Sequence, residues 1–159
     1  MEGKRCPFKH FSVFVMLAMS LCCSCNKDVV YNQYQPIQHK VWEQSSEFFF
    51  VFDIQDIAIP YNLFLHVRNN DTYPYQNIWM LFELKNDSIA RKDTVEYYLA
   101  DDLGKWKGSG LTLFQNQFVL HEKYHFPDTG QYTLNIRHGM RDERLKGIED
   151  IGLWIEKAK

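Results

Sequence analysis

From Trp42 onward, apolar residues recur at every second position rather than every third or fourth. In Ile59 to Arg68, Tyr61, Leu63, Leu65 and Val67 face one way and Asn62, Phe64, His66 and Arg68 the other, the alternation of a half-buried strand. Glu47 to Asp53, Asn77 to Lys85, Thr94 to Ala100, Gly130 to His138 and Ile151 to Glu156 also read as strands, and Leu111 to Phe126 holds one or two more. Their β-branched and aromatic residues suit a pleated surface. Asn69-Asn70-Asp71, Asn86-Asp87-Ser88 and the Gly-rich stretch Asp101 to Gly110 supply turns. Met140 to Lys146 has room for one short helical turn. Seven or eight strands at this spacing predict an all-β domain, an antiparallel β-sandwich of Ig-like or jelly-roll-like type. Asp128-x-Gly130-x-Tyr132 has the spacing of a tyrosine corner, in which a Tyr hydroxyl bonds back to a loop backbone. Pro127 stops the strand before it.

The N-terminus follows a different pattern. Lys4, Arg5 and Lys9 form a basic opening, Phe11 to Leu21 is an apolar run, and cysteines stand at 6, 22, 23 and 25. This order is that of a secretory signal peptide. Ser24 before Cys25 makes a lipoprotein-type junction, in which the thiol receives diacylglycerol and becomes the mature N-terminus. Cys22 and Cys23 have poorer contexts, and Cys22 takes the place where Leu is usual. A spanning helix needs about 20 apolar residues, roughly twice this run. The sequence thus divides into a lipoprotein signal peptide, 1–24, a polar lipid-anchored tether, 25–38, and a β-sandwich domain, 39–159. Lipidation at Cys25 places the protein in the cell envelope, held to a membrane by its lipid.

No cysteine follows Cys25, so the mature chain closes no internal disulfide and must rely on an apolar core. With 45% hydrophobic and 16% aromatic residues the composition supplies one. The chain carries a net charge of −2 and the segment before Cys25 a net +2, leaving −4 afterwards. That balance argues against nucleic acid as a partner.

His121-Glu122-Lys123-Tyr124-His125 is a literal H-E-x-x-H, which binds zinc when a helix puts both histidines on one face. Here the surroundings alternate with period two, and two histidines four residues apart on a strand lie about 13 Å apart. One zinc ion needs every ligand within about 2.1 Å, so no metal is expected. The Gly104 to Gly110 loop lacks the order of a phosphate cradle, and a turn with positive φ at Gly108 or Gly110 explains it. Asp101-Asp102 supplies only two adjacent carboxylates toward calcium. No catalytic residue can be assigned from spacing, and no cofactor is implied. Tyr73, Tyr75, Trp79 and Trp106 are candidates for partner contact, either with proteins or by stacking on a glycan.

Several stretches in order resemble the gliding-motility lipoprotein family GldH. They are Cys25 followed by Tyr31, Tyr34 and Trp42, then Tyr61-Asn62 and Arg68-Asn69, then Tyr73-Pro74-Tyr75-x-Asn77-Ile78-Trp79. Leu99-Ala100-Asp101, Gly104-x-Trp106-x-Gly108-x-Gly110, Pro127-x-x-Gly130-x-Tyr132 and Met140-Arg141 come next, and Leu145-x-Gly147-Ile148-x-Asp150-Ile151-Gly152-Leu153 closes the series. The resemblance implies a non-enzymatic envelope lipoprotein, a scaffold rather than a catalyst, tied to gliding and type IX secretion and seated at the outer membrane. It implies no catalytic residues. The alternative expectation is a surface glycan-binding lipoprotein.

Overall fold

The computed structural model of the protein describes residues 28–159. The signal peptide and Cys25 lie outside the described residues. Ten strands follow in order: β1 (Val29–Pro36), β2 (Val41–Glu43), β3 (Phe48–Ile54), β4 (Tyr61–Asn70), β5 (Asn77–Lys85), β6 (Ala90–Tyr98), β7 (Leu113–Tyr124), β8 (Gly130–His138), β9 (Arg144–Lys146) and β10 (Ile148–Lys157). They form one sheet in the order β1-β10-β4-β7, a second in the order β3-β8-β5-β6, and a two-stranded ribbon of β2 and β9.

The pairing has one simple origin. β5 pairs with β6, β4 with β7, β3 with β8, β2 with β9 and β1 with β10, all antiparallel. The chain is therefore one long hairpin whose apex is the Asn86–Ile89 turn, folded over on itself. β2–β9 is the corner where this ribbon passes from one sheet to the other. This is a jelly roll, the arrangement that wraps a folded ribbon into two facing sheets, and it resolves the two sandwich types the sequence allowed.

Alternation decides what lies between the sheets. Tyr61, Leu63, Leu65 and Val67 of β4 are buried, as are Ile151, Leu153 and Ile155 of β10. Phe50, Phe52 and Ile54 of β3, Ile78, Met80, Phe82 and Leu84 of β5, and Tyr132, Leu134 and Ile136 of β8 meet them from the other sheet. Rings bridge the layers: Tyr31 packs on Phe52 at 5.7 Å, and Tyr97 stacks on Phe118 at 4.4 Å.

Two expectations are corrected. The segment read as part of a polar tether contains β1, paired residue by residue with β10, and Ile37 beyond it is buried. β1 is an edge strand, so Asn32 and Gln33 stay in water while Tyr31 packs inward on Phe50 and Tyr34 lies on the outer face against His66. Its polar composition is what the partial burial of an edge strand allows. The helical turn expected over Met140 to Lys146 is absent: Arg144–Lys146 is β9, with Leu145 buried opposite Trp42. The corner at 128–132 is present, with the Tyr132 hydroxyl donating to the Asp128 carbonyl at 2.8 Å.

Candidate functional site

The loops after β4, β6 and β8 gather at one pole, and the four aromatic candidates lie there in different circumstances. Tyr73 is 3% exposed, and its hydroxyl donates to the Asn77 carbonyl at 2.8 Å. Burial, with Tyr75 nearby, raises its pKa well above the usual tyrosine value. Tyr73 thus belongs to the core and corrects its reading as a contact residue. Trp106 is half-buried, stacked on Phe114 at 5.7 Å and tilted against Tyr73 at 6.4 Å. Tyr75 meets Tyr73 edge-on at 5.8 Å. A continuous row of rings, Phe114–Trp106–Tyr73–Tyr75, therefore crosses the pole and stiffens it.

Trp79 differs: its indole is 40% exposed. It lies on the outer face of β5 and, with Tyr75, Asn77, Gly139, Met140, Arg141 and Asp142, lines an open hollow of about 500 Å³. The backbone builds this hollow. β5 and β8 pair up to Met80 and His138, and the ladder continues through the Gly139 N–H to the Trp79 carbonyl at 2.7 Å. Beyond Gly139 the chain leaves the sheet and brings Met140 onto Trp79. The Met140 sulfur accepts the Trp79 N–H at 3.3 Å, and its carbonyl accepts Gln44 Nε2 at 3.0 Å. The Tyr75 hydroxyl donates to Asp142 at 2.5 Å. That bond, with some help from burial, raises the Tyr75 pKa, so the hydroxyl keeps its proton and holds the rim in place. Arg141 is exposed and makes no ion pair among the described residues.

The hollow is thus preformed, with an indole on one wall, a fixed thioether at its floor and one charge of each sign at its rim. It offers apolar contact and directional polar contact together. Sequence reasoning found Trp79 and Tyr75 but not the Met140–Asp142 wall. Only the β5–β8 register brings that wall into place, and no local signal announces it.

A second polar cluster lies on the outer face of the β1-β10-β4-β7 sheet. Arg68 binds Asp150 through two contacts, 2.6 Å and 2.5 Å, and its guanidinium sits 5.0 Å from the centre of the Tyr34 ring. The Tyr34 hydroxyl lies 2.6 Å from His66 Nδ1, and His66 stacks on Trp154 at 6.2 Å. Burial first, and Arg68 second, hold the His66 pKa below its ordinary value. The neutral ring keeps a buried Nε2 with no hydrogen-bond partner. These groups spend their polar contacts on one another.

The remaining motifs fall into structural places. His121 stacks on Tyr124 at 4.9 Å, whereas His125 lies past the end of β7 and is exposed. Among the described residues no group of three or more His, Cys, Asp or Glu side chains is close enough to hold a metal ion. Asp101 Oδ1 accepts the N–H groups of Leu103 and Lys105, so this carboxylate shapes its own loop. Gly110 has φ +135, and a Cβ there would lie 1.9 Å from the Leu113 carbonyl oxygen, so only glycine fits.

Fold and site together define a jelly-roll domain with a rigid, preformed contact hollow at one pole. The sequence profile of the GldH lipoprotein family matches residues 29–155. The gliding motility lipoprotein GldH homolog of Christiangramia forsetii is 32% identical, over 93% of this chain and 96% of its own. Gliding motility lipoprotein GldH of Flavobacterium johnsoniae is 30% identical, over 92% and 96%. The chain belongs to the GldH lipoprotein family. Among solved structures, dimeric latent PorU from Porphyromonas gingivalis overlays 82% of this chain on 13% of its own, at TM-score 0.37 and 7% identity. A likeness that loose carries no argument.

Proposed function

We propose that the protein is a lipid-anchored envelope component of the GldH type, attached through Cys25 at the outer membrane. In this reading it acts without catalysis, as a scaffold in gliding motility and type IX secretion, and holds an envelope protein partner at the Trp79 hollow. The observation that carries the binding role is the hollow itself, an exposed indole on a wall fixed by main-chain and thioether hydrogen bonds. Exposed aromatic side chains beside an arginine are the residues on which protein interfaces concentrate their binding energy, and a site on a rigid sheet keeps its geometry. Family membership supports the lipid anchor, and the names of the relatives support the link to gliding.

A second reading has a specific observation behind it. The hollow is open, and Trp79 with Arg141 and Asp142 at its rim could stack on and hydrogen-bond to a sugar ring. Only one of the four aromatic candidates is freely presented, however, and an extended glycan platform needs a row of such rings. The protein reading is therefore the better supported.

Titration of the detergent-solubilised lipoprotein with envelope polysaccharide, followed by tryptophan fluorescence, separates the two. The scaffold reading expects no saturable change; a saturable change abolished in Trp79→Ala would establish the glycan reading instead. The anchor is tested by labelled fatty acid. Wild type should incorporate it and Cys25→Ala should not, and equal labelling of the two would remove Cys25 from the account.

A further inference from the structure

The two poles of the jelly roll differ, and the chain just before β1 decides which of them meets the membrane. Asp28 is already fixed to the fold: its carbonyl accepts the Lys157 N–H at 2.8 Å, and its carboxylate pairs with Lys159 at 3.1 Å. Only Asn26 and Lys27 separate it from Cys25. Three residue steps reach ~11 Å at full extension. The polar layer of one leaflet is itself ~6 Å thick. A diacylglyceryl group on Cys25 therefore leaves the domain no room to stand clear of the headgroups.

The pole at that end carries the Gln55–Pro60, Asn86–Ile89 and His125–Thr129 connections and the end of β10. Ala158 N–H donates to the Pro60 carbonyl at 2.9 Å, so the first loop lies directly beside the attachment point. Buried tyrosines pin the first and last of these connections from beneath: Tyr61 donates to the Asp56 carbonyl at 2.7 Å and Tyr132 to that of Asp128 at 2.8 Å. Ile57 projects from the first loop, 44% exposed. The charges are mixed, with Asp28, Asp53, Asp56, Asp87 and Asp128 against Lys85, Lys123, Lys157 and Lys159, so electrostatic attraction does not select this surface. The short anchor does.

We propose that the protein stands on the bilayer on this pole, with Ile57 and the Gln55–Pro60 loop at the phospholipid headgroups. The Trp79 hollow is then presented at the opposite pole, about 30 Å away at the rise of the ten-residue β10. Leu103 and Leu111, each 94% exposed, lie in the loop region between β6 and β7 at that outer pole. The proposal rests on lipidation of Cys25 but concerns where the lipidated domain sits.

The sequence makes the test clean. Once Cys25 carries lipid, no other cysteine remains in the mature chain, so Ile57→Cys and Leu111→Cys each add one free thiol. The full-length variants are produced with their lipid and reconstituted into vesicles of phosphatidylethanolamine and phosphatidylglycerol. Each thiol then carries a fluorophore, which a headgroup-linked spin label quenches on contact. Strong quenching at position 57, and none above the solution background at 111, is expected. A flexible Gly/Ser insert of about 20 residues between Lys27 and Asp28 should abolish the quenching at 57. Equal quenching at both positions, no quenching at 57, or quenching at 57 that survives the insert would each overturn the proposal. Mass spectrometry of the same vesicles separates the two levels. Lipidated protein with position 57 unquenched defeats the orientation alone, whereas protein without lipid defeats the anchor and the orientation with it.

Discussion

At the residue scale, one substitution made at two tyrosines should give opposite results. The Tyr132 hydroxyl donates to Asp128 and also lies 3.3 Å from the Asp128 N–H, so Tyr132→Phe strips both partners. A loss of about 0.5–1.5 kcal/mol is expected, seen as a lower urea midpoint. The Tyr97 hydroxyl is buried with no partner, and burial pushes its pKa up to about 12. Tyr97→Phe removes a polar group that burial leaves unpaired while keeping the ring on Phe118. It should leave the midpoint unchanged or raise it. If both variants lose stability alike, the hydrogen-bond assignments are wrong. The corner was legible in the sequence because its spacing is local. The unpaired hydroxyl was not, since it depends on what strands distant in sequence place around it, Phe118 of β7 among them.

Two buried histidines and one half-buried one give a pH dependence at the same scale. Burial is the largest cause holding His66, His121 and His138 below the ordinary histidine pKa. In the unfolded chain they take up protons near pH 6.5; in the fold they do so only at lower pH. Between those values the unfolded state binds more protons, so stability is complete above about pH 6.5 and is lost as pH falls toward the folded values. Glu149 acts in a lower window: although burial opposes ionisation, bonds from Lys40 and Asn70 hold its pKa below the usual value. Unfolding midpoints measured from about pH 7.5 to about 5.5 should therefore fall, and His66→Gln should flatten part of the slope. A flat wild-type profile would contradict the account.

Among the elements, β5 and β8 were legible to their last residues, Asn77–Lys85 and Gly130–His138. Both are central strands, flanked on each side, so their alternation is strong and their ends are marked by turn residues. β1 was not legible, because an edge strand is only partly buried along its length and its Asn and Gln residues look like tether. Its integration has a measurable consequence at Gly152. β1 lays the Tyr34 ring over that glycine, so closely that a Cβ would lie 2.6 Å from a ring carbon. Gly152→Ala should force the ring away and cost roughly 1–3 kcal/mol. Combined with Tyr34→Ala it should cost less than the two single changes added together. Strict additivity would mean that β1 does not sit on β10 as described.

At the scale of the whole molecule, the folded ribbon explains both what the sequence revealed and what it concealed. Local alternation announces strands, but the jelly-roll order is set by pairings between residues up to the full length of the domain apart, such as Tyr31 with Ile155. The hollow has the same origin. Tyr75 and Trp79 come from one arm of the ribbon, Met140, Arg141 and Asp142 from the other, and pairing of β5 with β8 joins them. The four aromatic residues that looked alike in sequence separate into three that stiffen the pole and one that is presented.

The central claim is that this lipoprotein holds a protein partner at the Trp79 hollow. Cross-linked envelopes carrying the wild-type lipoprotein, or its Trp79→Ala/Arg141→Glu variant, test it by quantitative co-purification. Both side chains are exposed, so the variant should keep the wild-type unfolding midpoint and fatty-acid label. The account predicts that at least one partner recovered with the wild type is lost from the variant. An unchanged partner set, with fold and lipid intact, would contradict it.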